Sequence, residues 1–257
     1  MNGFAGKYGP WAVVAGASEG IGAAFSTALA ERGVNLILVA RRSEPLAALA
    51  DRLTVQTVPV VADLSTQDGL EAVYSAAEGR PVGMLVCNAA YAPVSPFLDL
   101  TPSKLSTLVD LNCRAPLLLA RHFLPDMVAR RAGGVIVMSS LAGMQGSPGL
   151  AAYAASKAFG AVLAESLWAE LAGTGVDVVT CVAGAVSTPG YQESMSRPAP
   201  GTVDAQTVAR TALGALGRGP RTVPGAMMRV SSVLMSRLLP RRTAIKLIGR
   251  ASSGLAD

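Results

Sequence analysis

Tyr153 and Lys157 stand four residues apart in SPGLAAYAASKAFGAVLAESLWAEL, residues 147–171, and the positions around them are nearly all small or apolar. The stretch has the length and period of a mostly buried helix, and an i, i+4 pair lies on one helix face. A phenol ionises near pH ~10, so it is a poor proton shuttle at neutral pH. A neighbouring ammonium stabilises the phenolate and turns the phenol into a usable acid or base. That task is one reason to bury a lysine whose desolvation is costly. The plainer alternative is a lysine that reaches out of the helix to solvent. Tyr-x-x-x-Lys alone is a common pattern.

Two further groups could join the pair. The run VIVMSS closes on Ser139 and Ser140 at the end of a strand-like segment. Parallel sheets bind ligands at the carboxyl ends of their strands, and a hydroxyl there can polarise a substrate carbonyl. Asn112 lies inside a long helical stretch, four residues before Pro116. Pro116 cannot donate the helix hydrogen bond back to residue 112. The Asn112 carbonyl is thereby left to hold a water or a side chain; otherwise Asn112 simply marks a kink.

These side chains need a frame. Residues 11–15, 34–40, 55–61, 82–87, 134–139 and 176–182 are short, nearly continuous apolar runs, as expected of parallel strands covered on both faces. Helical stretches alternate with them at about 20–32, 44–53, 66–77, 102–131 and 151–173, and Thr101-Pro102 is a strong helix start. The alternation predicts an α/β fold, a doubly wound parallel sheet, in a single domain spanning residues 1–257. The chain is 51% hydrophobic and 15% charged, which supplies a large core and excludes a disordered chain. No run reaches the roughly 18 uncharged apolar residues of a membrane span, and MNGFAGKYGP lacks the charged-then-apolar pattern of a secretory leader. Cys87, Cys113 and Cys181 each sit in an apolar run without zinc-like spacing. They read as reduced core residues; no metal site is expected, and the expected location is cytoplasmic.

The segment AVVAGASEGIGAAF, residues 12–25, puts Gly16, Gly20 and Gly22 between the first strand and the first helix. A diphosphate needs bare backbone N–H groups and the positive end of a helix dipole, and glycine permits the tight turn and the close approach. With 27 glycines in the chain, chance spacings are easy. The placement at the first strand–helix junction favours nucleotide binding over an ordinary turn. The second strand ends at Ala40-Arg41-Arg42, where an acid would take a ribose 2′-hydroxyl. Arginine instead pairs with a 2′-phosphate. The expected cofactor is therefore NADP (NADPH) in preference to NAD; a solvated pair of charges opening the next helix is the alternative.

Taken together, these residues resemble the short-chain dehydrogenase/reductase family, from about Trp11 to Thr188. Gly16-x-x-x-Gly20-x-Gly22, with Ser18 and Ile21 inside it, matches the family's cofactor loop. Asp63-Leu64 matches its adenine contact, and Asn88-Ala89 matches part of its Asn-Asn-Ala-Gly motif. Asn112, Ser140, Tyr153 and Lys157 match its catalytic tetrad; Ser140, 13 residues before Tyr153, has the family spacing and Ser139 does not. The resemblance implies hydride transfer between NADPH and a carbonyl carbon. Tyr153 would give the proton, Ser140 orient the carbonyl, and Lys157 lower the Tyr153 pKa and hold the nicotinamide ribose. Asn112 would hold a relay water, and Thr188 with the Val186 backbone would meet the carboxamide. The chain departs from the pattern at Ala15, Cys87, Ala90 and Ala183, and Glu19 stands where some NADP-using members carry a basic residue.

Residues 187–203 are expected to form a flap over the substrate. Leu141, Met144, Gln145, Tyr191 and Met195 are candidate pocket residues, and their largely apolar set favours a hydrophobic ketone or aldehyde, or the matching alcohol, over a sugar. Residues 218–250 carry Arg218, Arg221, Arg229, Arg237, Arg241, Arg242, Lys246 and Arg250 and no acid, so the net charge of +5 resides in this tail. Within it, 226–250 reads as a basic amphipathic segment bent near Pro240, packed on the domain with its charges in solvent. Peripheral contact with an anionic membrane is the alternative. No aromatic residue interleaves with the arginines, so no nucleic-acid partner is expected. The resemblance implies a homodimer or homotetramer. Two competing readings are a 3-oxoacyl thioester reductase and a non-catalytic NADP-binding sensor or scaffold on the same fold.

Overall fold

The computed structural model describes residues 3–189, 201–234 and 239–252. Its strands are β1 Trp11–Ala15, β2 Asn35–Ala40, β3 Thr57–Val61, β4 Val82–Cys87, β5 Gly133–Ser140, β6 Val176–Ala183, β7 Val186–Ser187, β8 Val203–Asp204 and β9 Arg221–Thr222. Seven of them form one parallel sheet in the order β3-β2-β1-β4-β5-β6-β9. β7 and β8 pair separately. The six strands expected from the sequence are all present, with ends moved by at most two residues.

Burial explains why these strands carry no polar alternation. Along β1, Ala12 and Val14 face one helical layer while Val13 and Ala15 face the other, and all four are buried. Leu36 and Leu38 oppose Ile37 and Val39 on β2 in the same way. One layer contains α2 Gly20–Ala30, α3 Ser43–Ala50 and α8 Ala205–Ala215, which contribute Phe25, Leu29, Leu46 and Val208. The other contains α4 Gln67–Ala77, α6 Ala115–Ala129 and α7 Ala151–Glu170, which contribute Leu70, Leu119, Met127 and Ala164. β3 lies at the sheet edge, where Pro59 removes no needed ladder bond. A short helix, α1 Phe4–Tyr8, precedes β1.

The helix expected over 102–131 is two helices. α5 Pro102–Val109 starts on Thr101, whose hydroxyl accepts from the Lys104 N–H. Residues Asp110–Arg114 form a π turn, and the Ala115 N–H reaches back five residues to the Asp110 carbonyl. Pro116 has no N–H to continue the ordinary ladder, so the backbone widens just before it. Asn112 sits at the centre of that turn.

The basic tail forms α9 Ala226–Val233 and α10 Arg241–Ser252, on either side of Pro240. Met228 is buried, and its sulfur accepts from the Gly184 N–H at 3.2 Å. Ala244 is buried and Arg241 donates to the Met144 carbonyl at 2.9 Å. The tail therefore packs on the domain, with Met227, Val230 and Val233 facing outward. Among the described residues no helix is long and apolar enough to cross a membrane.

Strands β1, β2 and β3 run outward on one side of the sheet, and β4, β5 and β6 on the other. The order in which strands are laid down reverses between β1 and β4. Loops leaving the carboxyl ends there must splay apart and open a crevice.

Candidate active site

A cleft of about 610 Å³ opens at that switch point, within the range of roughly 300–1,000 Å³ typical of ligand sites. Gly16, Ser18, Gly20 and Ile21 line it from the loop after β1, and Arg41 and Arg42 from the end of β2. Asp63 and Leu64 follow β3, Asn88 and Ala89 follow β4, and Thr188 closes the far side. Val186 does not reach this cleft with its side chain; it is buried in the core beside α8.

The glycine loop is folded tightly enough to explain its composition. Gly16 has φ +77° and Gly20 φ +55°, both in the left-handed region. The Gly16 N–H donates to the Val39 carbonyl at 2.8 Å, and the Gly16 carbonyl accepts from Asn88 Nδ2 at 3.0 Å. A Cβ on Gly22 would lie 1.8 Å from that same carbonyl oxygen. The loop thus brings the N-terminus of α2 to the cleft, and no side chain caps it. Bare amides at the positive end of a helix fit a dinucleotide diphosphate. Asp63 is partly committed, since its Oδ1 accepts from Ser65 N–H at 3.0 Å and Ser65 Oγ at 2.8 Å.

The structure brings Ser140, Tyr153 and Lys157 together. Ser140 is the last residue of β5, and its Oγ accepts from the Ala142 N–H at 3.2 Å. Its hydroxyl also lies close enough to the Tyr153 phenol to act on its ionisation. Ser139 points the other way and donates to the Lys157 carbonyl at 2.8 Å, pinning α7 to β5. Gly160 assists that contact, since a Cβ there would stand 3.2 Å from Val137 Cγ1. The Lys157 ammonium is buried, donates to the Met138 carbonyl at 2.9 Å, and lies 5.7 Å from the centre of the Tyr153 ring.

Burial pushes the Lys157 pKa down to about 8, partly opposed by Cys113 and Cys87 beside it. Burial also raises the Tyr153 pKa, with the Ser140 hydroxyl acting in the opposite sense. The i, i+4 spacing predicts a lysine that pulls the phenol pKa down. In this arrangement the ammonium is turned to a backbone carbonyl and desolvation dominates, so the phenol is held protonated.

Asn112 is buried and its side chain is fully used. Its Oδ1 accepts from the Tyr91 N–H at 2.8 Å, while Nδ2 donates to the Tyr91 carbonyl at 2.9 Å and to Ser156 Oγ at 3.0 Å. Ser156 in turn donates to the Tyr153 carbonyl at 2.7 Å. Asn112 thus clamps the loop after β4 to α7, and any water it holds must sit on its main-chain carbonyl. A cavity of about 10 Å³ borders Asn112, Pro116, Ser156 and Lys157, close to the smallest space that takes one water. Tyr91 and Ser156 were not singled out from sequence; the only signal was a serine adjoining Lys157 on a small-residue helix.

The substrate candidates divide. Leu141 lies in the turn after Ser140, its Cδ1 within 2.9 Å of a Cβ built on Gly184. Gln145 is buried instead: its Nε2 donates to the Leu141 carbonyl at 3.0 Å, and its side chain borders a groove with Ala154, Ala158 and Ile245. At about 100° per residue, Ala154 and Ala158 stand roughly a quarter turn round α7 from Tyr153 and Lys157. Tyr191 and Met195, with most of the 187–203 flap, lie outside the described residues.

Comparison with known proteins agrees with this geometry. A very-long-chain 3-oxoacyl-CoA reductase of Podospora anserina is 38% identical over 193 residues, 71% of this chain and 56% of that one. The human inactive hydroxysteroid dehydrogenase-like protein 1 is 35% identical over 189 residues, 71% of this chain and 57% of that one. The chain spans a little over half the length of these two relatives. The solved structure of a 7β-hydroxysteroid dehydrogenase superposes with a TM-score of 0.90 at 28% identity, covering 96% of this chain and 99% of that one. The pattern of the short chain dehydrogenases matches residues 10–199, and with the parallel sheet and the glycine cleft already in place, the chain belongs to that family.

Proposed function

We propose that the protein is an NADP-dependent oxidoreductase that reduces a hydrophobic ketone or aldehyde to an alcohol, or runs the reverse, with a steroid-sized substrate favoured. The half-buried Tyr153–Ser140 pair beside Lys157, together with the glycine-lined cleft at the carboxyl ends of the sheet, carries the reading. The near-complete overlap with a 7β-hydroxysteroid dehydrogenase supports the substrate class.

When bound, the nicotinamide supplies the hydride. Ser140 donates a hydrogen bond to the substrate carbonyl oxygen and polarises it. Tyr153 gives that oxygen its proton; its raised pKa keeps the phenol intact until transfer, which suits reduction. The Lys157 ammonium then offsets the phenolate charge and holds the ribose, and the Asn112 carbonyl seats the water that restores the proton. Arg41 and Arg42 take the 2′-phosphate. The Val186 backbone and Thr188 take the carboxamide.

A pH profile tests the lysine. Lys157 is needed as a cation, and that form is present below its pKa of about 8 and lost as pH rises through it. For reduction, kcat/KM is expected to hold level below about 8 and fall about tenfold per unit above it. Lys157→Met should lower the plateau and remove the break. A profile level up to about pH 10, the usual lysine value, would refute the role.

NADPH oxidation against ketosteroids, 3-oxoacyl thioesters, aryl ketones, long-chain aldehydes and sugars tests the substrate. Turnover of thioesters without ketosteroids would instead favour the second reading, which the Podospora relative supports. Saturable NADPH binding with silence across the panel would favour the non-catalytic sensor or scaffold; a human relative of the chain is itself named inactive. The presence of Asn112, Ser140, Tyr153 and Lys157 together argues for the enzyme.

The proposal includes a homodimer or homotetramer. Leu117, Phe159, Val162 and Trp168 are exposed on α6 and α7, around an apolar groove of about 350 Å³ bordered by Leu124, Val128 and Leu163. A second copy would cover that face. Sedimentation equilibrium giving a monomer at micromolar concentration would exclude it.

A further inference from the structure

Glu19 and Arg42 both line the cofactor cleft, and they face each other across it. One Glu19 carboxylate oxygen lies 2.5 Å from an Arg42 guanidinium nitrogen. The pairing is built by the backbone. Glu19 is the N-cap of α2, with extended dihedrals and no side-chain bond to its own helix. Arg42 is the N-cap of α3 and likewise makes no capping bond to its helix. The loops after β1 and β2 are neighbours because those strands pair in register, Ala15 beside Val39. Two cap positions whose side chains make no capping bond to their own helices therefore meet at the place where a 2′-phosphate would dock.

We infer that Glu19 is a specificity-determining residue that restrains NADPH binding by occupying Arg42, an inference that rests on the NADP reading above. A phosphate dianion and a carboxylate compete for the same guanidinium face. To bind the phosphate, Arg42 must release Glu19, and the freed carboxylate then sits as a like charge beside the phosphate. Both effects weaken NADPH and neither touches the 2′-hydroxyl of NADH. Arg41, exposed on the same rim, gives the phosphate a second partner, so the preference for NADPH survives but is reduced. Glu19 also stands near the N-terminus of α2, where its charge opposes the diphosphate of either cofactor; that part is common to both and cancels in their ratio.

The test is Glu19→Gln, which keeps size and removes charge. Dissociation constants of NADPH, NADH and 2′,5′-ADP are measured by fluorescence or calorimetry for wild type, Glu19→Gln, Arg42→Ala and the double variant. Glu19→Gln should tighten NADPH and 2′,5′-ADP by about tenfold and NADH by less than about twofold. In the Arg42→Ala background the selective gain should shrink to the share set by carboxylate–phosphate repulsion, about threefold or less. An unchanged NADPH-to-NADH ratio in Glu19→Gln, or a gain as large without Arg42 as with it, overturns the inference. The wild-type ratio separately reads the underlying assignment: NADH bound more tightly than NADPH would remove the NADP reading, whatever Glu19→Gln does. Because the pair is on the surface, the variants should melt within about 4 °C of wild type, and folding does not confuse the result.

Discussion

Tyr153→Phe should bind NADPH within about threefold of wild type and lose about 100- to 10,000-fold in kcat, the span that a positioned acid contributes. The substitution removes one oxygen from a half-buried ring. The usual danger in such a change is the partner left behind, since a buried polar group without a hydrogen bond costs about 1–3 kcal/mol. Here Ser140 keeps the Ala142 N–H as a donor to its Oγ, and its half-buried hydroxyl can turn its own proton to water, so it is not orphaned. Melting temperature should therefore change little while turnover collapses. The ring itself stays, and with it the packing around the Lys157 ammonium at 5.7 Å. Steady-state kinetics on whichever carbonyl is turned over, cofactor titration and a thermal melt together decide the matter. A Tyr153→Phe protein with more than about a tenth of wild-type kcat would remove Tyr153 as the acid. Loss of NADPH binding along with turnover would show a structural rather than a chemical role.

The frame was legible because burial on both faces leaves strands without polar positions. β1, β2 and β4 are apolar at nearly every residue for that reason, and their order follows from short right-handed crossovers. The glycine loop was legible because only glycine tolerates the approach of Gly22 to the Gly16 carbonyl. The break in the helix over 102–131 was half legible: Pro116 announced a defect, but a helix can take up a proline by a π turn or by a kink, and sequence spacing alone does not choose between them.

What escaped the sequence was every interaction set by the angle of a side chain between elements. Lys157 and Tyr153 share a face of α7, as their spacing required, yet the ammonium finds the Met138 carbonyl on β5 rather than the phenol. Asn112 was expected to act through its carbonyl, and the structure adds that its amide is spent on Tyr91 and Ser156. Gln145 follows Ser140 closely in sequence, but the tight turn Leu141–Met144 carries it under its own loop. Glu19 and Arg42 are charged, exposed and distant in sequence; only the β1–β2 register puts them opposite one another. Charge pairs of this kind leave no periodic trace.

Gly22→Ala should abolish useful cofactor binding, with a loss of at least about 100-fold in NADPH affinity, and should destabilise the fold. Two effects oppose each other. Alanine in a helix is favoured over glycine by about 1 kcal/mol, and Gly22 lies in the first turn of α2. Against this, the new Cβ would stand 1.8 Å from the Gly16 oxygen, 2.7 Å from the Gly16 carbonyl carbon and 2.9 Å from Asn88 Nδ2. Those first two atoms are backbone, so no rotamer change relieves the overlap, and forced repacking of this kind costs about 1–3 kcal/mol or more. The clash outweighs the propensity. The loop must move away from α2, breaking the Asn88–Gly16 bond and turning the amides from the diphosphate. Gly214→Ala supplies the internal control: it is also helical, has open space where its Cβ would go, and needs no left-handed backbone. That variant should gain up to about 1 kcal/mol and bind NADPH normally. If Gly22→Ala instead matched Gly214→Ala in both melting and titration, the loop could not be packed as tightly as its glycines imply, and the diphosphate would have to be held elsewhere in the cleft.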